Sequence, residues 1–352
     1  MSSTKIRTTF TGGAARGEPT AGAATARDSS RRQTVRAMID MLRCYATATR
    51  SPIGGAATRF RGPDQNANVC TIMSASNGLR TLNLCGAGHS GSTLLGLVLG
   101  SHRRCFYIGE GAKVRYLGDE SRPERKRVCK LCGPGCAVWS RFEWDRTRPL
   151  YAQIAAHVGR DVLVDSTKNP KWIRARVEET RAAGGRPHLV LLLRDGRAVI
   201  NSRLRKYPDR DAEQQIRDWM AQIERGRELF EQFEGPRLEL RYETFATRPE
   251  QACRRLCELL QIEFESSMLR FQSYDHHPLG GNNGTQYQVA RSRHEDPGDA
   301  FVSLGDRSRE YYEEHEDAIR LDLRWQEEMQ PQHLALFEQV AGRFNEPLAW
   351  EG

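Results

Sequence analysis

The sequence predicts an α/β fold: three layers, α/β/α, around a central parallel sheet, with a phosphate-binding turn of the P-loop kind. Three observations lead there. From residue 81 onward, short apolar runs alternate with segments of helical period, the order of βαβ units. One run, PHLVLLLRD, is apolar almost throughout, as a strand covered on both faces must be. The first run, TLNLC, passes into a glycine-rich turn, GAGHSGS, and then into an apolar helix.

Taken in order, TLNLCGA is a strand that turns between Gly86 and Gly91 into the helix STLLGLVLGSH. CFYIGE is a short extended piece ending in Glu110. Residues 111–150 are polar, glycine-studded and charged, and read as an insertion or lid. YAQIAAHVG is a helix, DVLVDSTK a strand entering a polar turn, and PKWIRARVEETRAAGG a helix stopped by glycines. After the apolar strand, GRAVINSRLRKY and DAEQQIRDWMAQIERGRELFEQFE are helices parted by a tyrosine-proline break. PRLELRYETFA is predicted as a strand and RPEQACRRLCELLQI as a helix. Asp275 to Asp306 is predicted as a loop, rich in Gly, Asn and His, and Asp317 to Arg343 as a closing helical region. Ligands of open parallel sheets bind beyond the carboxyl ends of the strands. Gly86–Thr93, Glu110, Asp165–Lys168 and Arg194–Ser202 all fall there.

The chain has 352 residues, 38% of them hydrophobic, and no apolar run long enough to span a membrane. Its formal charge of +8 is carried wholly by residues 1–80, with twelve Lys/Arg against four Asp/Glu. Residues 81–352 are formally neutral, so the basic balance is no argument for nucleic-acid binding by the folded part. Residues 1–80, rich in Ala, Thr, Ser, Gly and Arg, bury too little apolar surface to offset their ordering entropy. They are expected to form a disordered basic leader ahead of a domain at 81–352. Three readings of that leader stay open: an upstream start with Met73 as the genuine one, an organelle transit peptide, or a functional basic tail. The location expected is cytoplasmic, or organellar if the leader is a transit peptide.

Nine cysteines without a secretory signal point to a reducing compartment and free thiols. Cys253 and Cys257, four apart on an amphipathic helix, read as core packing. Cys129, Cys132 and Cys136 cluster in CKLCGPGC. That spacing suits zinc, a redox or disulfide pair, or a thiol-rich surface loop, and no fourth ligand is evident nearby.

In the turn, Gly86, Gly88 and Gly91 permit tight backbone, and the helix starting near Ser92 directs its dipole at an anion. Ser90, Ser92 and Thr93 add hydroxyls. A plain strand-to-helix turn would use the same glycines. The GK[ST] ending of nucleoside-triphosphate loops is missing, which argues against ATP or GTP hydrolysis.

GAGHSGSTLL resembles the 5′-phosphosulfate loop of the sulfotransferases, and LVLLLRDGRAVINS resembles their 3′-phosphate segment. The two occur in the right order, and the likeness spans residue 81 to about 345. The resemblance implies a co-substrate, 3′-phosphoadenosine 5′-phosphosulfate (PAPS), that donates a sulfuryl group to a hydroxyl or amine. Gly88, His89, Ser90, Gly91, Ser92 and Thr93 would wrap its 5′ end, and Arg194 and Ser202 would hold its 3′-phosphate, with Arg197 assisting. Glu110, in YIGEG, would be the base that takes the acceptor proton. Lys168, in VDSTKNP, would stabilise the transferring group. Asp165 would orient Lys168 or, as favoured, cap the next helix in a structural role. DHHPLGGNNG resembles the family's C-terminal donor loop, giving Gly281 and Asn282, with Arg291 and Arg293 beyond. His276 and His277, in the same loop, are ordinary loop residues, acid/base groups or metal ligands.

The departure is His89, where many members carry Lys or Arg. A histidine near its ordinary pKa is partly charged at neutral pH, and an adjacent phosphosulfate would raise it. It is assigned as a catalytic donor to the 5′-phosphate or leaving oxygen. The resemblance implies no metal, because cations and backbone donors neutralise the leaving group. It leaves the acceptor open among glycan, tyrosine, lipid and small-molecule hydroxyls, with specificity expected from 111–150 and 203–235. Arg115, Arg122, Arg125, Lys126 and Arg127 could rim an acidic-glycan site or simply be solvated. The alternatives in function are a P-loop nucleotide-dependent kinase and a non-catalytic nucleotide-binding relative.

Overall fold

The computed structural model describes residues 78–293, 301–302, 304, 306–313 and 319–351, all within the unit Gln65–Gly352. The leader through residue 77 lies outside them. Five parallel strands form one sheet in the order β2-β3-β1-β4-β5. They are β1 (Arg80–Gly86), β2 (Cys105–Gly109), β3 (Val162–Asp165), β4 (Arg186–Leu193) and β5 (Arg237–Arg241). β1 pairs with β3 on one side and β4 on the other, so the chain reverses its direction of travel across the sheet at β1. That reversal is the switch point where α/β folds leave a crevice.

The expected alternation of faces is visible in β4. Val190 and Leu192 enter one core, with Leu82 and Leu84 of β1 and Val162 and Val164 of β3. Leu189, Leu191 and Leu193 enter the other. The first core is covered by α1 (Ser92–Gly100), α2 (Leu150–Val158) and, later in the chain, the helix Pro249–Leu260, where Cys253 and Cys257 are buried as expected. The second core is covered by α3 (Pro170–Ala182), α4 (Gly196–Lys206) and α5 (Ala212–Glu231). Trp219 of α5 is its centre, fully buried between the rings of Phe337 and Phe344 at 5.7 and 5.4 Å. A three-layer α/β/α sandwich results.

Three segments differ from the sequence reading. β5 stops at Arg241, and Tyr242–Thr247 is α6, because the strand is an edge and its last side chains turn to bury Tyr242 and Phe245. The Pro249–Leu260 helix is then α7. The Asp275–Asp306 segment contains a helix, α8 (Asn283–Arg293), with Asn282 Oδ1 accepting from Thr285 N at 3.1 Å. The polar sequence hid it, since its buried face uses Gln286, Tyr287 and Val289 rather than a run of aliphatics. The closing helix starts late. After α9 (Asp306–Glu313), residues 319–324 are irregular, Trp325–Glu328 makes one turn, and α10 runs Pro331–Asn345 from its initial proline.

Residues 111–150 hold a 3₁₀ helix at Gly111–Tyr116 and two single turns, and they contribute Val114, Cys129, Leu131, Trp139 and Phe142 to the first core. No helix among the described residues is long and apolar enough to cross a membrane.

Candidate nucleotide-binding active site

β1 ends at Gly86, and the loop to α1 carries two strained positions. His89 has φ of +72°, uncommon outside glycine, and Gly91 has φ of +86° at the helix N-cap. A Cβ on Gly91 would lie 2.5 Å from the Tyr242 ring, so this position requires glycine on two counts. No side chain caps α1, leaving the first-turn N–H groups to a ligand or solvent. Ser90 is buried and its Oγ has no partner among the described residues. Gly88 N–H donates to Gln222 Oε1 at 3.1 Å, so one amide expected to face an anion is already engaged by α5. Thr93 Oγ1 accepts from Asn282 N at 2.9 Å, which ties the loop before α8 to the start of α1.

Arg194 leaves the end of β4 and is buried. Its Nη1 donates to His89 O at 3.2 Å and its Nη2 to Asp322 O at 2.9 Å, while the guanidinium lies 4.2 Å from the Tyr242 ring centre. Its Nε is buried without a partner. Burial opposes its charge, but Tyr242, Asp322 and Glu243 outweigh that and hold its pKa above the ordinary value. Ser202, two turns along α4, sits with Oγ 2.8 Å from His89 Nδ1.

Glu110 follows β2. Its carboxylate pairs with Lys113 at 2.9 Å, and its N–H donates to Leu279 O at 2.6 Å. Burial alone would raise its pKa, yet Lys113 and Lys168 outweigh that and hold it below the ordinary carboxyl value. Lys168, beyond β3, donates to Ser166 O at 2.7 Å, and burial lowers its pKa against the pull of Glu110 and Asp165.

Gly88, His89, Gly91, Ser92, Thr93, Glu110, Lys168, Arg194, Ser202, Gly281 and Asn282 all border one cleft of about 300 Å³. Ser90, buried, is set behind it. His89 is not partly charged as expected. Burial first, then Lys206, Arg203, Lys168 and Arg194, push its pKa down to about 3, so the imidazole is neutral in the ligand-free protein.

Asp165 has a structural role, though not the expected one of capping the next helix. Buried, it accepts from Tyr151 OH (2.7 Å), Trp172 Nε1 (2.9 Å), Gly111 N (3.0 Å) and Thr167 N (2.6 Å), while α3 is capped by Asn169. Arg197 does not reach the cleft. It pairs with Asp195 at 2.7 Å and Glu351 at 3.1 Å and stacks over Trp325. Arg293 is bonded to Tyr274 O and Asp275, and Arg291 to Tyr312 O, both outside the cleft. His276 is buried and bonded to Phe271 O, as a core histidine.

Sequence reasoning missed the far wall: Lys206, Tyr207, Tyr242, Tyr311, Tyr312 and Arg324. Lys206 had a signal, lying one helical turn after Ser202 on α4. Tyr207 adjoins it and Tyr242 follows the carboxyl end of β5, whereas Tyr311, Tyr312 and Arg324 arrive from distant segments with no spacing to betray them. Arg324 pairs with Asp322 through two 2.8 Å bonds and lies 3.6 Å from the Tyr311 ring centre.

Cys129, Cys132 and Cys136 are not a surface loop, for Cys129 and Cys136 are buried and only Cys132 is exposed. The fourth group absent from their neighbourhood in sequence is His277, whose Nδ1 lies 3.3 Å from Cys132 Sγ and 3.4 Å from Cys136 Sγ.

A glycine-rich turn, an uncapped helix start and a buried arginine converge at the switch point of a parallel α/β sheet, an arrangement suited to an anionic ligand. Residues 82–266, more than half of the chain, match the profile of the sulfotransferase family. The chain belongs to that family, whose members are PAPS-dependent enzymes. Among solved structures it is similar to the sulfotransferase domain from the curacin biosynthetic pathway, at 19% identity over 74% of this chain and 96% of that one, with a TM-score of 0.43. It is similar also to the sulfotransferase domain of the Synechococcus PCC 7002 olefin synthase (17% identity, 75% and 95% covered, TM-score 0.44). A third is mouse sulfotransferase SULT7A1 complexed with PAP (11% identity, 80% and 94% covered, TM-score 0.44). No curated protein sequence matches the chain.

Proposed function

We propose that the protein transfers a sulfuryl group from PAPS to a hydroxyl or amine acceptor, with the donor in the cleft between the β1–α1 loop and Arg194. The observation that carries this reading is the joining of its two anion-binding segments. His89 of one touches Arg194 and Ser202 of the other, and both segments border the same cavity. The cavity is chemically suited to such a ligand. Lys168, Lys206, Arg194 and Arg324 supply positive charge, the α1 amides lack a side-chain cap, and Arg194 Nε is a buried donor without a partner.

PAPS, when bound, supplies an activated sulfuryl group on a bisphosphate leaving group. Glu110, ionised at neutral pH, accepts the acceptor's proton. Lys168, held near Glu110 by its bond to Ser166 O, neutralises charge on the transferring oxygens. Neutral His89, its Nδ1 engaged by Ser202, has Nε2 left to donate to an oxygen of the 5′ end.

The acceptor would enter a second cavity of about 780 Å³ that shares Glu110 and Lys168 with the first. Lys113, Arg115, Tyr116, Trp172 and Arg225 line it, so both 111–150 and 203–235 contribute, in line with the specificity expected of them. Cationic and aromatic walls favour an acceptor with a flat ring and an acidic group.

The test is retention on immobilised adenosine 3′,5′-bisphosphate (PAP). Elution by PAPS and not by ATP supports the reading. Elution by ATP alone favours a kinase. Binding without sulfate transfer to any hydroxyl in a cell extract, followed by mass, favours a non-catalytic relative.

A further inference from the structure

Three cysteines and one histidine converge away from the nucleotide cleft. The ligand-type atoms of Cys129, Cys132, Cys136 and His277 all lie within 4.8 Å of one another, and none of the four residues borders any of the cavities described. We infer that these four side chains hold one structural zinc ion.

The geometry suits a tetrahedral site. Zinc bonds of about 2.3 Å to sulfur and about 2.0 Å to nitrogen put sulfur and nitrogen roughly 3.5 Å apart at the corners of a tetrahedron. The two nitrogen–sulfur separations, 3.3 and 3.4 Å, are close to that. The backbone is turned for the task. Gly133, at φ +67°, closes a tight turn in which Gly133 N donates to Cys129 O at 3.1 Å, while Cys132 N points at Cys129 Sγ, 3.5 Å away. An N–H aimed at a sulfur stabilises thiolate.

The outer groups are also present. His277 turns Nδ1 to the sulfurs and presents Nε2 to Asp275 Oδ2 at 3.2 Å, and Asp275 is anchored by Arg293 at 2.6 Å. A carboxylate behind a ligating imidazole fixes its tautomer and increases its basicity as a ligand. Trp139 Nε1 donates to His277 O at 2.5 Å and Lys130 N to Pro278 O at 2.9 Å, so backbone contacts flank the ligands. A disulfide would use two of the thiols and leave the third and His277 without a role; among the described cysteines none is bonded. Three thiolates with one imidazole select zinc over harder cations, and four protein ligands leave no open position for catalysis.

The consequence is mechanical. The ion would clamp residues 129–136 to the loop at 275–282. That loop pairs Leu279 with Ile108 and Glu110 and carries Asn282, bonded to Thr93. Zinc would thereby hold both Glu110 and the edge of the nucleotide cleft.

The full chain, purified without chelator, is expected to contain one zinc per chain by mass spectrometry. X-ray absorption should show three sulfur neighbours and one nitrogen. Cys132→Ser, the most exposed ligand, should lower zinc content at least tenfold. Asp275→Asn should retain zinc but release it 10–100-fold more readily to a chelator. Metal-free wild type should bind PAP at least fivefold more weakly. Less than a tenth of a zinc per chain, a different metal in the site, or a disulfide between two of the three thiols in the freshly purified protein would each overturn the inference.

Discussion

His89 Nδ1 and Ser202 Oγ, 113 residues apart in sequence, lie 2.8 Å from each other and fasten the β1–α1 loop to α4. Ser202→Ala removes that bond and one hydroxyl from the cleft. A single hydrogen bond of this kind contributes about 1 kcal/mol. PAP affinity is expected to fall roughly fivefold to tenfold by calorimetric titration, with the thermal midpoint lowered by about 2–4 °C.

Arg194 grips two carbonyl oxygens and stacks on Tyr242 with one planar group. Lysine keeps the charge and loses the fork. Arg194→Lys should weaken PAP by about 2–3 kcal/mol, on the order of a hundredfold. Equal binding by the variant would remove Arg194 from the phosphate site.

Glu110→Gln should cut kcat by about 10²–10⁴ while leaving PAP affinity within twofold. Because Lys113 and Lys168 hold the Glu110 pKa below the ordinary carboxyl value, wild-type turnover should be flat through neutral pH and fall only under distinctly acid conditions. Lys113→Met withdraws one of those cations and should shift the acid limb of the pH–rate profile upward.

For His89 the sign runs toward acid instability. Unfolded, the imidazole protonates near 6.5, whereas in the folded protein it resists until about 3. Between those values the unfolded chain binds the extra proton, so stability contributed by neutral His89 is lost as pH falls. His89→Gln lacks this penalty. Denaturant unfolding at pH 7, 5.5 and 4 should show the variant gaining on wild type by up to about 1.4 kcal/mol per unit. A constant difference would mean that His89 titrates normally.

The parallel sheet was legible because β3 and β4 are buried on both faces and carry the apolar runs VLV and LVLLL, while β1, equally buried, announces itself by its glycine turn although Thr81 and Asn83 interrupt its leucines. The cleft's near wall was legible too, since a left-handed Gly91 and a strand-end Arg194 are demands of backbone and charge that leave a trace at fixed spacing. Its far wall was not. Tyr311, Tyr312 and Arg324 stand in stretches of no clear period, and their neighbours are set by tertiary contact. α8 escaped because its inward face is polar, Gln286 bonding Gly280 O at 2.6 Å where a leucine would have announced a helix. His277 could not be matched to CKLCGPGC from spacing alone, for only the pairing of Leu279 beside β2 carries it there.

The pairing of Asn282 with Thr93 has a bearing on biosynthesis. A ribosome that has delivered residues 80–266 has released all five strands of the sheet, yet the cavity beside Gly91 still lacks one side. Nascent chains therefore pass through an interval in which the sheet is complete while the cleft lacks a wall and Trp219 lacks the cover of Phe337 and Phe344, and both arrive only with the last fifth of the polypeptide.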